Sequence, residues 1–454
     1  MQAHLLSLAE SARHIRAGTL SPVDLVEALL AWIDALEPQL QAWVTLDRAG
    51  AMDSARHCAA EAQRGQIRGP LHGVPVGIKD IFFTAGMRTT CGSQIFADYV
   101  PDYDATAVAR LKAAGAIILG KTHTTEFATL DPAPTHNPWH LEHTPGGSSS
   151  GSGAAVGACM VAGALGSQTA GSVLRPAAYC GTVGLKPTFG RISRYGVFPV
   201  SWRLDHIGAL TRTVEDAALL LQVLAGHDPH DISSATVPVP DYLAELETCA
   251  APRLGVMRGV FFERAAPEVR QRMEEVIAHL RQAGAQICDI PQPESFLTGY
   301  AAHRIIMRVE AAAVHEDLFQ QHRDKYRPHI RSFIESGMII PSVQYVRAQR
   351  LRRRLQREME PHLAQVDAVL TPTTPTPAPH GLHATGDPVF QTPWTFLGIP
   401  ALTLPCGIAE NGLPLGLQLA SAPFTEARLL AVARWCERTL AFTARPALVE
   451  GALA

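Results

Sequence analysis

The chain lacks the signatures of several common chemistries. Its eight cysteines (Cys58, Cys91, Cys159, Cys180, Cys249, Cys288, Cys406, Cys436) contain no C-x-x-C pair, and its 19 histidines contain no H-E-x-x-H. Neither a zinc knuckle, a dithiol redox centre nor a zincin helix is therefore encoded. Scattered cysteines in apolar runs read as buried free thiols in a reducing compartment. No apolar run reaches the ~18 residues of a membrane span, and the first residues, Met1 to Leu6, have no basic n-region leading into a long apolar core. The expected location is the cytoplasm. An excess of charge of one sign is also missing. Lys+Arg 39 against Asp+Glu 42 leaves a net charge of -3, so no global basic field draws nucleic acid. The one dense basic run, Arg347, Arg350, Arg352, Arg353, Arg354 and Arg357, lies in an amphipathic helical pattern over 343–363 and reads as a solvated face. There is no internal repeat and no polar linker long enough to part independent domains.

What the chain does have is length and apolar content. Its 454 residues are 47% hydrophobic, ample for a sizeable core. Ser21-Pro22-Val23-Asp24 is an N-cap with proline at N1 and predicts a helix over 23–36, and a second helical pattern covers 48–63. Residues 71–81 then alternate small and β-branched residues like a buried strand, with Lys79 inside it. A helix over 105–114 stops at Gly115 and feeds a strand over 116–120. Downstream, helices are predicted over 213–225, 267–283 and 426–440, with strands over 253–257, 286–290, 367–372, 401–405 and 415–419; residues 292–365 read as mostly helical. Helix and strand in alternation predict an α/β fold around a mixed sheet.

The most informative stretch runs from Pro145 to Gly184. Gly146-Gly147-Ser148-Ser149-Ser150-Gly151-Ser152-Gly153 is followed by an apolar run over 154–165 that reads as a buried helix, and then by Gln168-Thr169-Ala170-Gly171-Ser172. A glycine- and serine-rich run is a flexible tether or a reaction centre; the apolar run that follows at once suits the second, with the serines at a helix N-terminus. Three serine chemistries compete. Gly147-Ser148-Ser149-Ser150-Gly151 matches the nucleophile elbow G-x-S-x-G, with Ser149 as nucleophile, yet no strand leads into it. A phosphate cradle would need G-K-[ST], which is absent. The third combines both serine clusters with Lys79, a residue rarely buried without a partner. The plainer reading of Lys79 is a strand-end lysine reaching solvent.

These features together resemble the amidase signature family. The resemblance spans about 6–439 and rests on Gly73-Val74-Pro75-Val76-Gly77-Ile78-Lys79-Asp80, Gly120-Lys121-Thr122, the Gly146–Gly153 run, Gly171-Ser172 through Gly181, Gly184-Leu185-Lys186-Pro187-Thr188, Gly398-Ile399-Pro400-Ala401 and the segment 412–418. It implies a large mixed twisted sheet covered on both faces by helices, as a single amidase domain over 1–454. Within it lie a signature core at about 70–215, a helical N-terminal region at about 1–65 and a mostly helical insert at about 292–365. It also implies a reaction: hydrolysis of a carboxylic amide with Ser172 as acyl-accepting nucleophile, Ser148 in a cis peptide as bridging serine and Lys79 as base. Backbone N–H groups of Thr169, Ala170, Gly171 and Ser172 would form the oxyanion hole. No metal or cofactor is needed. The expected partner is a small-molecule amide, with no nucleic acid and no membrane, and the resemblance is compatible with a homodimer.

The chain departs from the family pattern at the nucleophile. Many members read Asp-Thr-Gly-Gly-Ser-Ile-Arg, where this chain reads Gln168-Thr169-Ala170-Gly171-Ser172-Val173-Leu174, with Arg175 one place later. Gln168 lacks the aspartate charge and Leu174 cannot donate, so the side-chain network behind the oxyanion hole is expected to be lost. The departure favours a free-standing amidase over the glutaminase component of a tRNA-dependent amidotransferase. Hydrolysis of carbamates, ureas or esters, and an inactive amidase-like binding protein, are the other readings. Trp394 and Phe396, with Ser149, are expected at a substrate pocket preferring apolar or aromatic acyl groups, although each aromatic singly suits an ordinary core.

Overall fold

The computed structural model describes residues 2–453. Eleven strands form one sheet: β1 (Trp43–Leu46), β2 (Pro75–Lys79), β3 (Ile117–Thr122), β4 (Gly163–Gln168), β5 (Val183–Lys186), β6 (His206–Thr211), β7 (Arg253–Val256), β8 (Gln286–Asp289), β9 (Ala368–Pro372), β10 (Ala401–Ile408) and β11 (Pro414–Ala420), in the order β1-β3-β2-β4-β6-β5-β10-β11-β9-β7-β8. Pairing is parallel for β2 with β3 and β4, and for β7 with β8 and β9; it is antiparallel elsewhere. The sheet is thus mixed, as expected.

Successive strand residues point to opposite faces, and here each face has its own core. Val76, Ile78, Ile118 and Leu165 join one apolar cluster, while Ile117, Leu119, Ala164 and Leu210 join the other. Helices close both sides. The helix Pro22–Leu40 starts as its sequence dictates, with Ser21 Oγ accepting from Val23 N at 3.1 Å and Pro22 at the first position. Its residues Val26, Ile33, Leu36 and Leu40 enter the second cluster. The insert folds as the helices Ser295–Val314, Glu316–His322, Pro328–Met338 and Ser342–Leu363.

One element is assigned differently by structure and sequence. The helix expected over 154–165 runs instead from Ser150 to Gly157; the chain turns at Cys159 (φ 57), and residues 163–168 form β4. Every residue of this stretch is buried. An apolar run buried on all sides has no period to separate helix from strand. The correction matters, because β4 ends directly before the second serine cluster.

Candidate active site

Lys79 is the last residue of β2, and β2 and β4 run parallel as neighbours, with Gly77 opposite Ala164 and Ile78 opposite Leu165. This register sets the end of β2 beside the end of β4 and the loop that follows it. The lysine has no exposed surface. Its Nζ donates to Ser148 Oγ at 2.6 Å and to Ser167 Oγ at 2.8 Å. Burial pulls the ammonium down from the usual lysine range to about 7, partly opposed by the negative charge of Asp205. A lysine that is neutral half the time near pH 7 is a competent base.

Ser148 follows two glycines in the left-handed region, Gly146 (φ 82) and Gly147 (φ 63). A Cβ on Gly147 would stand 2.7 Å from Pro176 Cδ and 3.1 Å from Ser172 Cα, so only glycine lets this segment press against the loop bearing Ser172. The peptide bonds of the described residues are all trans. The cis bond that the family resemblance implies at Ser148 is therefore not found. Ser172 is 9% exposed, and its hydroxyl has no hydrogen-bond partner among the described residues.

The loop between β4 and the helix Leu174–Tyr179 is held from behind. Gln168 Oε1 accepts from Val173 N at 2.9 Å and Leu174 N at 3.0 Å, while its Nε2 donates to Thr395 Oγ1 at 2.9 Å. Thr395 Oγ1 in turn donates to Ala170 O at 2.8 Å. The expected loss of this network is thus corrected: a neutral amide, acting as acceptor and donor at once, replaces the aspartate and braces both ends of the loop. Thr169 faces the scaffold; its hydroxyl donates to Asp205, and its carbonyl accepts from His303 Nε2 at 2.8 Å. Burial lowers the His303 imidazolium to about 4, so the ring is neutral and serves as a donor. Asp205, whose carboxyl is raised by burial, also accepts from Val200 N and Ser201 N at 2.8 and 2.9 Å. The N–H groups of Ala170, Gly171 and Ser172 meet no acceptor among the described residues. A Cβ on Gly171 would lie 2.4 Å from Gln391 Oε1, so a side chain there would have to displace the Gln391 amide.

Three expected pocket residues lie elsewhere. Ser149 is fully buried, with its Oγ 3.3 Å from both the N and the O of Ser167, and so ties the helix Ser150–Gly157 to β4. Trp394 is also fully buried and stacks on Phe261 at 5.6 Å, and Phe396 packs edge-on to His303 at 6.2 Å with 1% exposure. Both aromatics are core residues, because they sit on the short helix Thr392–Leu397, all of which is buried. The cavity that does open beside Ala170, about 450 Å³, is lined by Leu130, Pro388, Val389 and one face of the helix Ser295–Val314.

Sequence reasoning missed Ser167, Asp205, His303 and Thr395. A serine between the small, apolar residues 163–166 and Gln168 is a weak signal for Ser167. For the helix face, Tyr300, His303, Arg304, Met307 and Arg308 line the cavity at spacings of i, i+3, i+4, i+7 and i+8, a polar stripe that the sequence does display. Cys58, Glu61 and His72 come within 4.8 Å of one another, as the ligands of a metal would. They do not suit one: His72 Nε2 lies 2.9 Å from Cys58 O, its Nδ1 accepts from Arg68 N, and Glu61 is paired with Arg68.

A helix-covered mixed sheet with a buried lysine bonded to one serine, beside a loop that bears a second serine and free N–H groups, is the arrangement that an amide hydrolase of the serine–lysine type would use. Comparison with known proteins agrees. The family model for amidase matches residues 24–430, and the chain belongs to the amidase family, a family of C–N hydrolases. Among curated relatives, the A component of glutamyl-tRNA(Gln) amidotransferase from Myxococcus xanthus (strain DK1622) is 39% identical, covering 98% of this chain and 100% of the relative. Its counterpart from Roseiflexus castenholzii (strain DSM 13941 / HLO8) is 41% identical over 94% of both. Among solved structures, a protein from a vestigial complex bearing on the origins of an s-triazine catabolic enzyme superposes with a TM-score of 0.91 at 31% identity, covering 97% of this chain and 100% of that one. The native peptide amidase of Stenotrophomonas maltophilia gives 0.86 at 30% identity, covering 98% and 99%. No helix among the described residues is long and apolar enough to cross a membrane.

Proposed function

We propose that this chain hydrolyses a small linear amide through an acyl-enzyme on Ser172, with Ser148 and Lys79 as the proton relay. The observation that supports it best is the buried Lys79 Nζ, 2.6 Å from Ser148 Oγ and shifted to about 7, beside a loop whose Ser172 hydroxyl and three N–H groups are uncommitted. Neutral Lys79 takes the proton of Ser148, Ser148 takes that of Ser172, and Ser172 Oγ attacks the carbonyl carbon. The resulting oxyanion is received by the N–H groups of Thr169, Ala170, Gly171 and Ser172, each such donor typically contributing ~3–4 kcal/mol. The proton returns through Ser148 to the leaving nitrogen as the C–N bond breaks. Water then adds to the acyl-enzyme by the same route and releases the acid.

The single sheet that draws strands from residues 43–420 supports reading 1–454 as one domain, with the core at about 70–215, the N-terminal region at about 1–65 and the insert at about 292–365. Eight unpaired cysteines, seven of them buried, support a cytoplasmic setting. A second reading, one component of an amidotransferase that works with partner proteins, is favoured by identities of 39% and 41% over nearly the whole chain. Fluorophosphonate labelling followed by peptide mass spectrometry tests the nucleophile: an adduct on Ser172 is expected, and one on Ser149 overturns it. Ammonia release from simple amides by the isolated chain separates the two readings, because the second requires added partner proteins.

A further inference from the structure

The cavity beside Ala170 has donors without acceptors. Three arginines line it, Arg264, Arg304 and Arg308, against one carboxylate, Asp387. Arg264 stands 3.8 Å from Asp387, and that pair offsets its own charge. Arg304 is exposed, and neither it nor Arg308 has an ion-pair partner among the described residues. Arg308 is half-buried and its Nε has no acceptor; its guanidinium carbon lies 5.7 Å from the centre of the Phe333 ring, which holds the group in place. The Tyr300 hydroxyl is likewise buried without a partner, and burial raises its pKa, so it stays a neutral donor. The remaining wall is largely apolar, with Leu130, Met307, Phe333, Pro388 and Val389.

Buried donors left unpaired cost free energy unless a ligand completes them. Two guanidinium groups at i and i+4 on one helix, with a phenol on the preceding turn, form a site for a compact anion, and a planar guanidinium matches a carboxylate best. Resting on the reading that the loop at Ala170 receives the reacting carbonyl, we propose that the substrate is a short amide bearing a carboxylate at its far end, which Arg304, Arg308 and Tyr300 bind. A volume of about 450 Å³ suits a molecule of this size. These residues touch substrate away from the reacting atoms, and they set specificity rather than chemistry.

The test is ammonia release from a series of dicarboxylic acid monoamides, malonamate to adipamate, each measured against its neutral diamide, with fluorophosphonate labelling run in parallel. The enzyme is expected to prefer at least one monoamide, and succinate or glutarate is expected to protect Ser172 from the label. Arg308→Gln and Arg304→Gln should each lower the monoamide-to-diamide ratio of kcat/KM by roughly ten- to a hundredfold, the range for a lost charge-assisted hydrogen bond, mainly through KM. Arg308→Lys should restore part of the ratio. Equal turnover of acid and diamide, or a ratio untouched by both glutamine variants, overturns the proposal while labelling of Ser172 leaves the reaction centre standing. An unlabelled Ser172 in the parent enzyme overturns the reaction centre, and this proposal with it.

Discussion

Gln168 and Thr395, 227 positions apart, are joined side chain to side chain at 2.9 Å, and between them they brace the loop that presents Ser172. Gln168 satisfies two backbone N–H groups at the start of the helix Leu174–Tyr179, and Thr395 holds the carbonyl of Ala170. The amide does here what a carboxylate could do only in part, since a carboxylate accepts but does not donate. Gln168→Ala leaves two buried N–H groups unpaired, which costs about 1–3 kcal/mol. A lower unfolding midpoint in denaturant, together with a reduced kcat, is expected. An unchanged kcat with lowered stability would show the brace to be structural only.

Ser148 and Ser149 are adjacent, and their roles are predicted to be opposite. Ser148→Ala removes the bridge to Lys79 and should abolish measurable turnover. Ser149→Ala removes two long contacts to β4 and should leave kcat within a few-fold, with a stability loss of about 1 kcal/mol. Turnover and thermal unfolding of the two purified variants check this; an inactive, well-folded Ser149→Ala would favour the elbow assignment.

Ser167 is the second acceptor of Lys79 Nζ, at 2.8 Å. Without it, the amine is free to turn away from Ser148. Ser167→Ala is expected to lower kcat by about tenfold with little change in KM, as loss of a positioning hydrogen bond does. Steady-state kinetics on one good substrate suffice, and an unchanged kcat counts against a positioning role.

The low affinity of Lys79 for its proton also predicts how stability follows pH. In the unfolded chain a lysine holds its proton up to ~10.4, whereas in the folded chain Lys79 releases it near 7. Between those values the unfolded state binds more protons, so this group makes stability rise with pH across that window. Lys186, also buried and lowered to about 7, adds a slope of the same sign. Lys79→Met should flatten the pH dependence of the denaturation midpoint between about 7 and 10; an identical slope in both proteins would mean that Lys79 keeps its proton when folded.

Much of the fold and the site is legible in the sequence, for identifiable reasons. Pro22, the capping Ser21 and the stop at Gly115 are local signals, and the helices Pro22–Leu40 and Thr106–Ala113 form where they point. Lys79 is legible because a lysine in a small and β-branched strand breaks the pattern of its surroundings. The boundary between the helix Ser150–Gly157 and β4 is not, since both are buried throughout and neither has an amphipathic period. Thr395 and His303 reach the loop at 169–170 from more than 130 positions away, a contact that only the fold creates. Trp394 misleads because aromatic character close to a glycine turn does not tell a buried helix from a cavity wall.

The most direct test of the account is the pH profile of kcat/KM in the parent enzyme and in Lys79→Met. A base that must be neutral gives a rate that rises with pH through its own pKa and then levels; with Lys79 at about 7, the rise should centre near neutrality. Methionine keeps the length of the side chain without the base, and the variant should fold yet lose several orders of magnitude in kcat/KM. A Lys79→Met enzyme with near-normal kcat/KM and the same rise near neutral pH would contradict the relay.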